Sequence, residues 1–204
     1  MKRFLTAGSA LFLMPSVALA HHPLGGTTPA TMSDGLLSGI GHPVLGLDHL
    51  AFIIGMGIAA MLAGRALIGP LAYIATMLAG VALHVMAIDV PFAEVAIALS
   101  LLAVGLMVAS GRSFSTAMWL GAFAVAGLFH GFAFGESIYG AEATPMIAYL
   151  IGLGATQWAI AVLAGMAAKA LATSDTALPR LAGAAVMGIG AVMVGEMAIG
   201  AVFA

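Results

Sequence analysis

The sequence predicts an all-α membrane protein, a bundle of about six transmembrane helices that follows a cleaved signal peptide. Hydrophobic residues make up 63% of the chain and charged residues only 7%, whereas soluble domains are about 45–50% apolar and about 25% charged. The apolar residues form long runs that short segments with Gly, Pro or charge interrupt. A helix of about 20 apolar residues crosses the hydrocarbon core of a bilayer, and these runs have that length.

The N-terminus has the three-part pattern of a secretory signal peptide. Met1-Lys2-Arg3 is basic, residues 4–17 are mostly apolar, and Ala18-Leu19-Ala20 supplies small residues for a signal peptidase. We therefore assign residues 1–20 to a signal peptide. The mature chain would then begin with His21 and His22, two imidazoles that are candidates for weak metal capture outside the membrane.

The remaining chain divides into an outer segment and a transmembrane domain. Residues 21–45 are expected to form a periplasmic segment with a short interfacial helix at 34–41, and residues 46–204 the transmembrane domain. Turn-forming and charged residues separate the predicted spans. These spans are 46–64, 68–88, 91–110, 115–134, 145–168 and 179–203.

The basic residues give the predicted orientation. The four that follow the signal peptide are Arg65, Arg112, Lys169 and Arg180. All lie in the loops after the first, third and fifth spans or, for Arg180, beside such a loop at the start of the sixth span. The positive-inside rule places those loops in the cytoplasm. The mature N-terminus is therefore expected on the outer side, in agreement with a signal peptide.

Polar side chains concentrate near the outer ends of the spans. A charge at the bilayer centre costs about 2.5–3.5 kcal/mol or more, so ionisable residues in spans usually have a function. For each one singly, a helix–helix hydrogen bond is an equally good explanation. The outer set comprises His42, Asp48, His49, His84, Glu94, His130 and Glu136. Deeper candidates for an ion path are Glu196 in the last span and Gln157 near mid-bilayer, where a helix–helix clamp is the alternative.

The chemistry of this set favours a divalent-metal site. The chain has no cysteine, so imidazole and carboxylate are its strong ligands, and these suit Ni²⁺, Co²⁺ and Zn²⁺. Pro43 and Gly46 indicate that a helix begins between His42 and His49, which predicts that His42 hangs from a loop. Asp48 is expected to orient a neighbouring histidine. Spacing alone does not tell which of these residues meet.

Span four carries a stripe of small residues. Gly127, Gly131 and Gly135 recur every four residues, which lets another helix approach closely. His130 lies beside this stripe, so we expect it where two helices are closest.

Two motifs resemble those of the HupE/UreJ family of hydrogenase and urease accessory membrane proteins. They are His42-Pro43-x-x-Gly46-x-Asp48-His49 and Phe129-His130-Gly131-Phe132-Ala133-Phe134-Gly135-Glu136. The resemblance covers essentially the whole chain. It implies a nickel or cobalt permease of the bacterial inner membrane that supplies metal for maturation of a nickel enzyme. It also implies that His42, Asp48, His49, His130 and Glu136 take part in metal passage.

The chain departs from the family pattern at two points. Ile53 stands where the family commonly has a methionine, and only His21 and His22 represent the longer histidine-rich outer segment that the family often carries. A thioether contact at that position is therefore doubtful, and so is efficient metal capture at very low concentration.

Two other functions remain open from the sequence. One is a non-transporting metal-binding accessory or scaffold subunit; the other is an intramembrane zinc-dependent hydrolase, although no HExxH motif is present. We expect no enzyme activity, no catalytic residues and no prosthetic group. The expected partners are the lipid bilayer, a divalent metal ion and metallo-enzyme maturation proteins. With six basic and eight acidic residues, nucleic acid is not an expected partner.

Overall fold

A computed structural model of the chain describes residues 27–172 and 177–203. The predicted signal peptide and the candidates His21 and His22 lie outside the described residues. Within them the chain forms α-helices, one 3₁₀ turn and no β-strand. The helices are α1 (Met32–Leu45), α2 (Leu47–Leu62), α3 (Gly69–Val85), α4 (Ala93–Ala109), α5 (Thr116–Gly135), α6 (Ala143–Ala172) and α7 (Ala177–Phe203), and the 3₁₀ turn is Glu136–Ile138.

Helix α1 is longer than the interfacial helix that the sequence predicts. A capping box starts it, because the Thr31 hydroxyl accepts from the Asp34 N–H and the Asp34 carboxylate accepts from the Thr31 N–H. The helix continues through Pro43 and ends at Gly46, where the chain bends by 79° into α2. The prediction that His42 hangs from a loop is wrong, since His42 lies in the last turn of α1.

Helix α2 is the centre of the bundle and packs against each of the other six α-helices. Its side chains Phe52, Ile53 and Met56 are fully buried. Around it the remaining helices form three closely packed pairs, α3 with α5, α1 with α6, and α4 with α7.

Glycine brings the helices of each pair together. Between α3 and α5, the carbonyl of Met77 occupies the space that a Cβ of Gly131 would need. The carbonyl of Tyr149 does the same at Gly39 between α1 and α6. The predicted stripe in α5 is thereby confirmed as a helix contact. Backbones at this separation gain van der Waals contact where no hydrophobic force drives association.

Helices α1 and α2 follow α6 in the same direction. Gly39 of α1 lies against Tyr149, and Gly57 of α2 lies against Ala161, further along α6. The bent pair therefore advances along α6 through the bend and does not turn back on itself. The bent pair is therefore a broken span, in which α1 and α2 are the two successive halves of one membrane crossing.

The two ends of the bundle carry opposite charge. We call one end of the bundle the acidic end and the opposite end the basic end. At the acidic end, α1, α4 and α6 begin and α3 and α5 end. The acidic end carries Asp34, Asp89, Glu94, Glu136 and Glu142. The basic end carries Arg65, Arg112, Lys169 and Arg180.

The helices identify a membrane protein. Three continuous stretches are long and apolar enough to cross a bilayer, namely α5 with its 3₁₀ turn, α6 and α7, and the bent pair α1–α2 passes the same test as a fourth. Helices α3 and α4 are apolar but have 17 residues each, a length of about 25 Å. Helices thus occupy all six regions predicted as spans. Among the described residues, three of these helices are long and apolar enough to cross a bilayer, and the bent pair α1–α2 makes a fourth candidate.

Candidate metal centre

The bend at Gly46 places three motif side chains close together. His42 in the last turn of α1 and His49 in the first turn of α2 are 4% and 5% exposed, and their ring centroids are 5.7 Å apart. The Asp48 carboxylate is 3.9 Å from His49 Nδ1 and stays partly accessible. Gly46 is needed here, because a Cβ at this position would lie 2.7 Å from the His49 ring.

A chain of hydrogen bonds links His49 to α5 and α4. His49 Nδ1 lies 2.9 Å from His130 Nδ1, and His130 Nε2 lies 3.0 Å from the Ser100 hydroxyl. That hydroxyl donates its hydrogen to the Ile97 carbonyl, so its oxygen accepts from His130 Nε2–H. In a neutral His130 the Nδ1 atom is then the acceptor for His49 Nδ1–H. The network therefore leaves Nε2 as the unprotonated nitrogen of a neutral His49.

A second network orients His42. The Tyr149 hydroxyl donates to the Phe134 carbonyl at 2.8 Å, so its oxygen accepts the hydrogen of His42 Nδ1 at 3.1 Å. The Ser137 hydroxyl lies 3.0 Å from the same nitrogen. Protein oxygens that hold one imidazole nitrogen as N–H leave the other as a potential ligand, which is the usual arrangement around a metal-binding histidine.

Aromatic rings form the walls of this cluster. The Phe134 ring centroid lies 5.0 Å from that of His42 and 4.2 Å from that of His49. Phe52 packs against His130 at 4.5 Å, and Tyr73 stacks on Phe52. Such walls exclude water and strengthen the electrostatic interactions of any ion held between them.

The cluster supplies the nitrogen and oxygen donors that Ni²⁺, Co²⁺ or Zn²⁺ prefers, in a closed arrangement. Among residues 27–172 and 177–203, no three His, Asp or Glu side chains stand in a metal-binding geometry. His49 and His130 are engaged with each other. For an ion to bind among these side chains, an imidazole would have to rotate and the bond between His49 and His130 would have to open.

The other predicted site residues lie outside this cluster. Glu136 is exposed in the first position of the 3₁₀ turn, and its neighbour Ser137 contacts His42 instead. His84 packs with Phe132 and Tyr139 in a separate pocket. Glu94 and Glu196 are exposed.

Gln157 is fully buried on α6, and neither its amide oxygen nor its amide nitrogen has a hydrogen-bond partner. It lies eight residues beyond Tyr149, about 12 Å further toward the basic end. Tyr73 is also fully buried, and its hydroxyl is likewise unpartnered. Unsatisfied polar groups at this depth are costly, so both positions call for an explanation beyond packing.

Three side chains of the cluster were not among the predicted residues, namely Ser100, Ser137 and Tyr149. Ser100 is a hydroxyl in an otherwise apolar run, which is a usable signal. Ser137 and Tyr149 have no such mark. Ser100 lies seven residues into α4 and Tyr149 six residues into α6, so the cluster lies about 10 Å below the acidic ends of these helices.

Comparison with known proteins places the chain in a family. No solved structure gives a significant match. The chain is 32% identical over 195 residues to Protein HupE of Rhizobium leguminosarum bv. viciae, covering 93% of this chain and 96% of that protein. The model of the family described as HupE / UreJ protein matches residues 9–193. The chain belongs to the HupE/UreJ family.

Proposed function

We propose that the protein is an inner-membrane permease for Ni²⁺, or Co²⁺, that supplies metal for maturation of hydrogenase or urease. The observation that carries the proposal is the 2.9 Å contact between His49 and His130 beside the break between α1 and α2. Two buried imidazoles that touch inside an apolar bundle are expensive to place, and intramembrane ionisable groups usually serve a path.

The proposed path starts at the acidic end, which faces the periplasm in the predicted orientation. Glu136 at the rim and Asp48 attract the hydrated cation. His49, His42 and His130 then replace part of its water shell, as rotation of the His49 ring opens the cluster. Conduction requires a site that binds firmly enough to admit the ion and weakly enough to release it, and an incomplete shell of nitrogen and oxygen donors meets that requirement.

Below the cluster, the proposed path uses Gln157 and Tyr73. Their buried and unpartnered polar atoms would contact the passing ion or the water that accompanies it. This accounts for polar groups that the closed bundle leaves unsatisfied.

The test is uptake of radiolabelled nickel by cells that lack other nickel importers, with and without the protein. We expect uptake to depend on the protein and to be lost in His49→Ala, while the amount of protein in the membrane is unchanged. Equal uptake with and without the protein would refute transport. If His49→Ala then still supported maturation of the nickel enzyme, the non-transporting scaffold function would replace it.

A further inference from the structure

We propose that a second cation site lies outside the histidine cluster, in a pocket at the acidic end, and that it holds a hydrated divalent cation before the ion reaches the cluster. The inference rests on the proposed transport function for its physiological role, but the binding itself is measured separately. The pocket has a volume of about 260 Å³ and is lined by His84, Ala87, Ile88, Asp89, Phe132 and Tyr139.

The pocket contains an imidazole whose position is fixed by two aromatic neighbours. His84 Nδ1 is buried and has no hydrogen-bond partner. The ring is held by Phe132, at a centroid distance of 4.7 Å, and by Tyr139 at 5.9 Å. Its Cβ occupies the space next to Gly135. Because Nδ1 is buried, Nε2 is the ring nitrogen that would bind an ion in the pocket. A ring held this way would lose little further side-chain entropy on binding.

The pocket also contains a carboxylate on a constrained loop. Asp89 lines the same cavity, between α3 and α4. Ala87 and Phe92 on either side of it have φ values of 55° and 60°, and they are the two non-glycine residues of the described chain in the left-handed region. Such conformations are strained and persist only where the surrounding structure holds them. The loop is thereby kept where Asp89 faces the cavity of His84.

The size and charge of the pocket fit a hydrated ion. One water occupies about 30 Å³ of liquid volume, so an ion with six waters needs about 180 Å³. The pocket has room for it. One imidazole and one carboxylate are the donors that Ni²⁺, Co²⁺ and Zn²⁺ share, and the carboxylates of the acidic end raise the local concentration of cations.

The end of α5 and the 3₁₀ turn that follows it connect this pocket to the histidine cluster. Within residues 132–139, Phe132 and Tyr139 line the pocket, whereas Phe134 and Ser137 contact the cluster. A shift of this segment would therefore move the walls of both sites together. We infer that the ion passes from the pocket to His42 and His49 past this turn.

The test is equilibrium binding of ⁶³Ni²⁺ to the purified full-length protein in lipid nanodiscs. The purification tag contains no histidine, and all variants carry His21→Gln and His22→Gln so that the N-terminal imidazoles do not contribute. In a His49→Ala background, which removes the cluster, we expect saturable binding to remain. His84→Ala should abolish that remaining binding.

A matched pair of carboxylates keeps the test independent of folding. Asp89 and Glu94 are both exposed acids at the acidic end, but only Asp89 lines the pocket. We expect Asp89→Asn to weaken the remaining binding and Glu94→Gln to leave it unchanged. The proposal is overturned if the His49→Ala protein binds no nickel, if His84→Ala binds as much as its parent, or if both carboxylate variants behave alike.

The outcomes separate this inference from the proposed function. Binding that depends on His84, in a protein that shows no nickel uptake in cells, would support the pocket and refute transport. Uptake that depends on His49, without any binding that depends on His84, would support transport and refute the pocket.

Discussion

His130 is the residue through which the histidine cluster is organised. Its Nδ1 receives a hydrogen from His49 and its Nε2 donates one to Ser100. The direction of both bonds follows from one further contact, the hydroxyl of Ser100 donating to the carbonyl of Ile97. A single serine on α4 thus sets which nitrogen of His49 is unprotonated.

Ser100→Ala therefore tests this arrangement. Without the hydroxyl, His130 loses the acceptor that fixes its tautomer. Either nitrogen of His49 can then carry the proton. Loss of such an outer partner typically lowers metal affinity by about 10- to 100-fold. We expect a reduction of this size in nickel uptake at limiting metal, measured as an increase in the half-saturating concentration.

Ser110→Ala is the matched control for this substitution. Its hydroxyl also donates to a carbonyl three residues earlier, that of Met107, but it contacts no histidine. Uptake should be unchanged in this variant. A similar decrease in both variants would mean that the serine acts through the stability of α4 and not through His130.

At the scale of the helices, the break between α1 and α2 determines where the motif residues lie. Pro43 and Gly46 predict a helix start between His42 and His49, and α2 does begin there, at Leu47. Pro43 itself lies within α1, whose last residue is Leu45. Proline identifies the neighbourhood of a break but not its position. Its ring removes one hydrogen bond to the carbonyl four residues earlier, and α1 still continues for two residues beyond Pro43. The packing of α1 on α6 decides the outcome, and no local pattern records it.

Glu136 and Ser137 are neighbours in the turn after α5. The sequence predicts Glu136 as a site residue from its place beyond span four and from the motif, and it gives no signal for Ser137. The chain changes from α-helix to 3₁₀ helix at Glu136. Successive residues rotate by about 100° in the first and about 120° in the second. In the turn as it stands, Ser137 contacts His42 and Glu136 is exposed. In contrast, the stripe of small residues in α5 follows regular helical periodicity, and it was predicted correctly.

Gly46→Ala tests the role of the break. The added Cβ would lie 2.7 Å from the His49 ring, so the ring must shift, which disturbs its contact with His130. The backbone φ of Gly46 is −77°, which alanine adopts without strain, so the chain should still fold. We expect loss of nickel uptake with unchanged helix content by circular dichroism.

Gly188→Ala provides the comparison, because nothing lies within 4 Å of a Cβ added there. This variant should transport nickel as the unmodified protein does. If Gly46→Ala also transported normally, the position of the His49 ring would not matter for passage.

Viewed as a whole, the molecule separates charge between its two ends and buries its polar groups between them. The acidic end lacks Lys and Arg among the described residues, and the basic end carries all four. The sequence predicts this separation of charge, because the order of spans and charged loops along the chain decides which loops share an end. The deeper polar groups are different, because the contacts of Gln157 depend on how α6 faces α1 and α2.

Gln157→Leu tests whether Gln157 contacts the passing ion or only contributes to helix packing. Leucine removes two buried polar atoms that have no partner, and leaving such groups unsatisfied costs about 1–3 kcal/mol. The variant should therefore be more stable to thermal unfolding than the unmodified protein. If the side chain serves the ion path, nickel uptake should nevertheless decrease.

Thr156→Val is a suitable control, since Thr156 is the preceding residue at nearly the same depth and is only partly buried. Its uptake should be normal. A more stable Gln157→Leu protein with normal uptake would show that the amide has no part in transport.

The bend at Gly46 has one more consequence, which concerns the dipoles of the two helices that meet there. The last turn of α1 presents carbonyl oxygens with a partial negative charge, and the first turn of α2 presents N–H groups with a partial positive charge, about half an elementary charge each. A cation at the cluster is attracted by the first and repelled by the second. Asp48 lies in the first turn of α2, where its carboxylate offsets the repulsive end. With this carboxylate, the partial charges of the two helix ends and of Asp48 would sum to a net attraction for a positive ion.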